Sequence, residues 1–283
     1  LGMVTSLSLP PLNYFILNFL TFTLFYLFLI KKSEEHKVKK FFFLYGWLFG
    51  FGYFISNLYW ISISLTFDQN FKFLIPLTVI LIPAFLALFY GLITYFFIIF
   101  KSKKIISSFL IFSLIFGILE FIRGSIMTGF PWNLIVYTFS EQQALLSLNS
   151  VIGTYGFNLF CISLFTSPAL FILKKSKKTF GIFCFFILSI IIFNVHGSIY
   201  RENFSKADKK NYDYKVRVIG SNISLERFYS SLDPVSVIQD LIKISKPNKN
   251  EKTIFVWPEG ILPSISQNEL IDYSWLIEKN FSE

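Results

Sequence analysis

Six apolar runs, at roughly residues 12 to 30, 41 to 65, 73 to 100, 105 to 122, 151 to 173 and 180 to 199, constrain this chain more than any other feature. Most reach the ~20 residues that a helix needs to cross a hydrocarbon core. A backbone in lipid has to satisfy its own hydrogen bonds, and the runs lack the two-residue alternation of barrel strands, so helices are expected. With 54% hydrophobic residues and 38 Phe among 283, the chain is too apolar for a water-soluble domain of this length. The reading is a polytopic α-helical membrane bundle at residues 1–199, a linker at 200–213 and an extracytoplasmic segment at 214–283. Pro76 and Pro83 fall in the third run, where neighbouring helices can absorb a kink.

The connections give an orientation. Lys31, Lys32, Lys37, Lys39 and Lys40 follow the first run, Lys101, Lys103 and Lys104 the third, and Lys174, Lys175, Lys177 and Lys178 the fifth. All twelve fall on one side, whereas the alternate connections hold only Lys72 and Arg123. The positive-inside rule puts the lysine-rich loops in the cytoplasm and the tail from about Tyr200 outside, away from cytoplasmic cofactors. The net charge of +9 reflects this pattern and not a basic face for nucleic acid.

Few polar residues in the bundle suggest chemistry. Cys161 and Cys184 lie in apolar runs without a CxxC or ligand-like neighbours, so no metal or disulfide is implied. His36 and His196 have no evident partner and read as bystanders. Glu120 and Arg123, three apart near a helix end, read as an ion pair holding helices together, with lipid headgroup contact by Arg123 as the alternative. Thr128 to Trp132 reads as a structural break at the outer interface, with Trp132 in the aromatic belt.

The tail carries the sharper signal. Lys215 to Gly220 alternates as a strand, and Asp233-Pro234 offers an N-cap and a first-turn proline to a helix with Val235, Ile238, Leu241 and Ile242 at helical spacing. A second strand, Thr253 to Trp257, follows, and Asn268 to Phe281 reads as another helix. Strand, helix, strand at this spacing is most simply a crossover between parallel strands, whose reactive groups sit beyond the carboxyl ends. Glu259, after Trp257 and Pro258, occupies that position, and the apolar neighbours favour a tuned carboxylate suited to general base chemistry. About 70 residues bury too little surface to be comfortable alone, so a continuation past Glu283 is expected.

Phe255-Val256-Trp257-Pro258-Glu259, followed by Leu262-Pro263, resembles the catalytic-glutamate strand of the nitrilase, or carbon-nitrogen hydrolase, superfamily. The chain as a whole resembles the bacterial apolipoprotein N-acyltransferases. Gly50-Phe51-Gly52 leading to Tyr59-Trp60, then Glu120-Phe121-Ile122-Arg123-Gly124, then Thr128-Gly129-Phe130-Pro131-Trp132 carry this in order and spacing. The resemblance implies an inner-membrane enzyme, without a cofactor, whose soluble part is the first portion of an α-β-β-α nitrilase-like domain. It implies transfer of an acyl chain from a phospholipid to an enzyme cysteine, and then to the α-amino group of diacylglyceryl-cysteine in an apolipoprotein. Glu259 would be the base of a Glu-Lys-Cys triad, with Trp257, Pro258, Phe228, Arg123 and Trp132 as candidate substrate or lipid contacts; Phe228 stands near where the family usually has tryptophan.

The chain also departs from the family. It has no residue at the family's lysine and cysteine positions, both downstream of Trp-Pro-Glu, and lacks the closing membrane helix. It opens Leu1-Gly2-Met3 without a basic leader region and with part of a further N-terminal helix. A piece incomplete at both ends, inactive alone, is therefore expected. The alternatives from other classes are a transporter, for which Glu120 and Arg123 are the intramembrane charge, and a non-catalytic membrane scaffold.

Overall fold

The computed structural model describes residues 1–35, 38–126, 129–206, 214–220, 233–248, 250–258, 261–262, 266 and 268–281. His36, Lys37, Thr128, Phe228, Glu259 and Pro263 lie outside these described residues. The described chain forms two units, Leu1–Lys206 and Ala207–Glu283.

The first unit is a membrane helical bundle with six helical stretches long and apolar enough to cross a bilayer. A short α1 (Gly2–Ser6) precedes α2 (Ile16–Glu35), α3 (Lys40–Leu58), α4 (Ile75–Phe100) and α5 (Ile105–Ser125). After α6 (Gln143–Leu146) come α7 (Asn149–Thr166), α8 (Pro168–Leu173) and α9 (Lys177–Lys206). The second apolar run ends its α-helix at Leu58 and continues as a 3-10 turn over Tyr59–Thr66, and a further 3-10 turn, Gln69–Leu74, leads into α4. The fifth run is interrupted: Gly153 adopts φ 72° and ψ 164°, a conformation only glycine enters cheaply, and Pro168 starts α8 as a first-turn residue. Pro76 sits in the first turn of α4, where a missing N–H costs nothing, whereas Pro83 is buried within the helix and deprives the Val79 carbonyl of its usual donor. α9 continues as helix through Lys206, so Tyr200–Lys206 are helical although their composition resembles a linker.

Helices in lipid gain little from burying apolar surface, so close packing and internal hydrogen bonds hold the bundle. Gly46 and Gly50, four apart on α3, bring that helix against α4: a Cβ on Gly46 would meet the Tyr90 carbonyl, and one on Gly50 would lie 2.7 Å from the Tyr90 Cβ. Across the same contact, the Thr94 hydroxyl donates to the Phe42 carbonyl at 2.5 Å and the Trp47 indole N–H to the Ala84 carbonyl at 3.0 Å. Phenylalanine fills the rest of the interior, with Phe22 against Phe116 at 5.6 Å and Phe112 against Phe116 at 5.8 Å between ring centroids.

In the second unit β1 (Lys215–Val218) and β2 (Thr253–Val256) pair in parallel, with Lys215 opposite Thr253 and Val218 opposite Val256. Between them runs α10 (Pro234–Ser245), capped by the Asp233 carboxylate accepting from the Val235 N–H at 3.2 Å. α11 (Ser274–Phe281) follows a 3-10 turn at Glu269–Tyr273. Ser266 and Glu269 form a reciprocal capping box: the Glu269 carboxylate accepts from the Ser266 N–H at 2.7 Å and the Ser266 hydroxyl oxygen from the Glu269 N–H at 3.3 Å. Ile238, Ile242 and Leu276 make a small core joined by Trp257, Leu262 and Phe281. The opposite sheet face, with Val216, Val218, Ile254 and Val256, is exposed.

Candidate functional site

In the second unit the site is approached along β2. Trp257, immediately after the strand, is half-buried, and its indole N–H donates to the Ser245 hydroxyl at 3.0 Å at the end of α10. The Phe281 ring packs at 4.7 Å from Phe255 and 6.0 Å from Trp257. Arg217 of β1 lies over the Phe255 ring at 5.7 Å and donates to the carbonyls of Ser245 (2.7 Å) and Lys246 (2.9 Å), closing the helix end. Lys246 enters the left-handed region there, with φ 46°. Trp257 is therefore held by α10 and α11 on the carboxyl side of β2, and Pro258 and Glu259 are the next residues in sequence.

The first unit contains a second group of candidates, built around Arg123. The residue is 1% exposed. Nε donates to Glu120 Oε1 at 3.2 Å and Nη2 to Glu120 Oε2 at 2.9 Å, while Nη1 donates to the carbonyls of Phe130 (2.8 Å) and Trp132 (2.9 Å). The Phe54 ring faces the cation at 5.3 Å. A charge this desolvated is tolerable only with a partner and with its donors occupied, and Glu120 with the two carbonyls meets both needs. The ion pair anticipated from i, i+3 spacing is present, but both members belong to α5, so the tie runs from helix to loop and not from helix to helix.

Residues 129–133 are held at several further points. The Phe130 N–H donates back to the Arg123 carbonyl at 3.1 Å, and the Tyr53 hydroxyl of α3 donates to the Asn133 carbonyl at 2.9 Å. Gly129 (φ 75°) and Asn133 (φ 59°) adopt left-handed conformations at either end. Just beyond, the Val136 N–H donates to Asn158 Oδ1 of α7 at 3.0 Å. Trp132 stacks on Trp60, with centroids 5.1 Å apart and planes 17° from parallel, and Phe130 lies 5.7 Å from Trp132. Both indoles remain partly exposed, as amphipathic rings at a membrane boundary do.

Beside this loop lies an apolar pocket of about 470 Å³, within the range of small-molecule sites. Ile61, Leu81, Phe85, Phe89 and Phe130 line it, with Arg123 in its wall. Among the described residues no group of three His, Cys, Asp or Glu could hold a metal ion. Cys161 and Cys184 are free thiols, the first buried.

Sequence reasoning passed over Tyr53, Phe54 and Ser245 as site components, and it treated Trp60 only as part of a motif. Trp60 and Tyr53 meet the loop through contacts distant in sequence, which no local pattern signals. The Ser266 to Glu269 capping box was also passed over, although a serine three residues before a glutamate is the signal that could have found it.

Comparison with known proteins agrees with the membrane part of this picture. The family described as "Apolipoprotein N-acyltransferase N-terminal domain" matches residues 1–165. Curated relatives include the apolipoprotein N-acyltransferase of Rhizobium etli (strain CIAT 652), 30% identical over 281 residues, covering 93% of this chain and 51% of that protein. The protein of the same name from Brucella melitensis biotype 1 is 28% identical over 278 residues, covering 94% of this chain and 52% of its own length. The one from Rickettsia prowazekii (strain Madrid E) is 29% identical over 270 residues, with 93% and 51% covered. The chain thus spans about half the length of these relatives. With the family's membrane domain matched over more than half of its residues, the chain belongs to the apolipoprotein N-acyltransferase family.

Proposed function

We propose that this chain contributes the membrane bundle and the base-bearing strand of a bacterial inner-membrane enzyme that acylates lipoproteins. The reading is carried by one observation, the family match across residues 1–165, with Trp257-Pro258-Glu259 following in the same chain. Glu259 takes the proton of an enzyme cysteine thiol as the sulfur attacks the ester carbonyl of a phospholipid. A lysine ammonium stabilises the tetrahedral oxyanion, the lysophospholipid alkoxide leaves and is protonated, and a thioester remains. The α-amino group of a diacylglyceryl-cysteine then attacks the thioester, forms the amide and returns the thiol. Phe228, Trp257, Pro258, Arg123 and Trp132 are the proposed substrate or lipid contacts.

Residues 1–199 form the bundle in this reading, 200–213 the link, and 214–283 the opening portion of an extracytoplasmic nitrilase-like domain. The exposed Val216, Val218, Ile254 and Val256 favour a sheet that is covered on its second face by further structure of that domain. The Lys101 ammonium donates to the Ser33 hydroxyl at 2.5 Å, drawing two lysine-rich connections to one end of the bundle, which favours a common cytoplasmic side. Of the triad, this sequence matches the family motif only at the base, so the 283 residues by themselves are proposed to be inactive. The transporter alternative loses support because Glu120 and Arg123 neutralise each other and serve loop carbonyls.

The test is to express the complete gene in a strain depleted of its own lipoprotein N-acyltransferase and to examine lipoprotein N-termini by mass spectrometry. Triacylated termini are expected with the unaltered gene and diacylated ones with Glu259→Gln. Triacylation surviving that substitution would remove Glu259 from the chemistry, and none with the unaltered gene would remove the activity.

A further inference from the structure

The Glu120–Arg123 pair is unusual in what it spends a buried charge on. Both side chains are fully buried, and a pair so placed adds little to stability over well-packed apolar residues of similar size. What apolar residues could not do is hold two backbone carbonyls. Those of Phe130 and Trp132 are in a short segment held between two left-handed residues, and both would otherwise compete for water at the membrane boundary. The same segment presents Phe130 to the apolar pocket and Trp132 to Trp60.

We propose that Arg123 is a positioning residue: its fork, charge-balanced by Glu120, sets the 129–133 segment so that Phe130 walls the apolar pocket and Trp132 stacks on Trp60. Lysine cannot replace it, because an ammonium is a point donor that does not grip a carboxylate through two parallel bonds while holding two carbonyls on the other side. The segment's geometry stands independently of the acyl-transfer reading; what the pocket receives, an acyl chain, rests on that reading.

The experiment labels the tryptophans of the full chain with 5-fluorotryptophan and follows the Trp132 fluorine resonance in lipid nanodiscs, assigned through Trp132→Phe. Stacking on Trp60 shifts that line by ring current, and Trp60→Leu gives its unstacked position. In Arg123→Lys the Trp132 line is expected to move to the unstacked position with helical content unchanged. Because a buried lysine can compromise folding, the double variant Glu120→Leu/Arg123→Met removes both charges together and is expected to give the same shift in a folded bundle. A Trp132 line that keeps its stacked position in a folded variant of either kind overturns the proposal. In the complete gene product, Arg123→Lys is expected to raise KM for phospholipid more than it lowers kcat, since the chemistry at Glu259 is untouched. An unaltered enzyme without acyl transfer would overturn the reading of the pocket's ligand and leave the fluorine result to decide the positioning role.

Discussion

Arg123 donates to the carbonyl of Trp132 at 2.9 Å, so a cation buried at the end of α5 controls the backbone of an aromatic residue exposed at the bundle's edge. The bond links a buried, fully paired charge to a side chain that is about half exposed. It also explains how a largely apolar and otherwise uncharged helix tolerates a Glu and an Arg one turn apart: each neutralises the other, and the surplus donors serve the loop.

Removing one member of this pair strands the other in an apolar interior. Arg123→Ala and Glu120→Ala are each expected to destabilise the bundle by roughly 3–5 kcal/mol. Removal of both should cost less than the sum. Unfolding of the three variants in mild detergent, followed by tryptophan fluorescence, supplies the comparison; strictly additive costs would mean that the two residues do not act as a pair.

The Tyr90 backbone carbonyl and the Thr94 side chain both stand where a Cβ on Gly46 would go, so Gly46→Ala has to push α3 away from α4. A loss of about 1–3 kcal/mol is expected from such overpacking. Gly181→Ala is the control, because nothing lies within 4 Å of its added carbon; it should be neutral or stabilising by up to about 1 kcal/mol. Melting temperatures by size-exclusion with a fluorescent tag would rank the two, and equal melting would contradict a close α3–α4 contact.

The backbone N–H of Ser266, and then its hydroxyl, hold the Glu269 carboxyl below the ordinary glutamate value of 4.5. Its folded value lies below its unfolded one, so the capping contribution is complete above the unfolded value and is lost as pH falls through the folded value. Exchange protection of the Ser266 amide in the whole chain, corrected for intrinsic rate, should decline on acidification through that range. In Glu269→Gln the decline should disappear, and its persistence would point to a different titrating group.

Twelve lysines on alternate connections predict their own side of the membrane. A periplasm-dependent phosphatase fused after Lys175 is expected to be inactive and the same reporter after Lys206 active. The reverse pattern would invert the assignment and place the Trp257-Pro258 strand in the cytoplasm.

Much of the fold was legible because the determining quantity is local. A run of some twenty apolar residues has one low-energy answer in lipid, and hydropathy along the chain reports it directly. Asp233-Pro234 opened its helix where a cap and a first-turn proline require, and the two short strands on either side pair in parallel as their spacing suggested. Breaks inside apolar runs were less visible. Gly153 turns α7 through a conformation that hydropathy does not encode, and the 3-10 turn Tyr59–Thr66 is nearly as apolar as the helix before it.

The candidate site divides along the same line. From the sequence alone came the membrane class, the i, i+3 pairing of Glu120 with Arg123, and the carboxylate that follows Trp257-Pro258, because each depends on residues close together in the chain. Tertiary structure decided what Arg123 does with its remaining donors, which ring Trp132 meets and what supports Trp257. Those partners come from the segment after α5, from the 3-10 turn that follows α3 and from the end of α10, and no local period encodes contacts between elements whose spacing is set by packing.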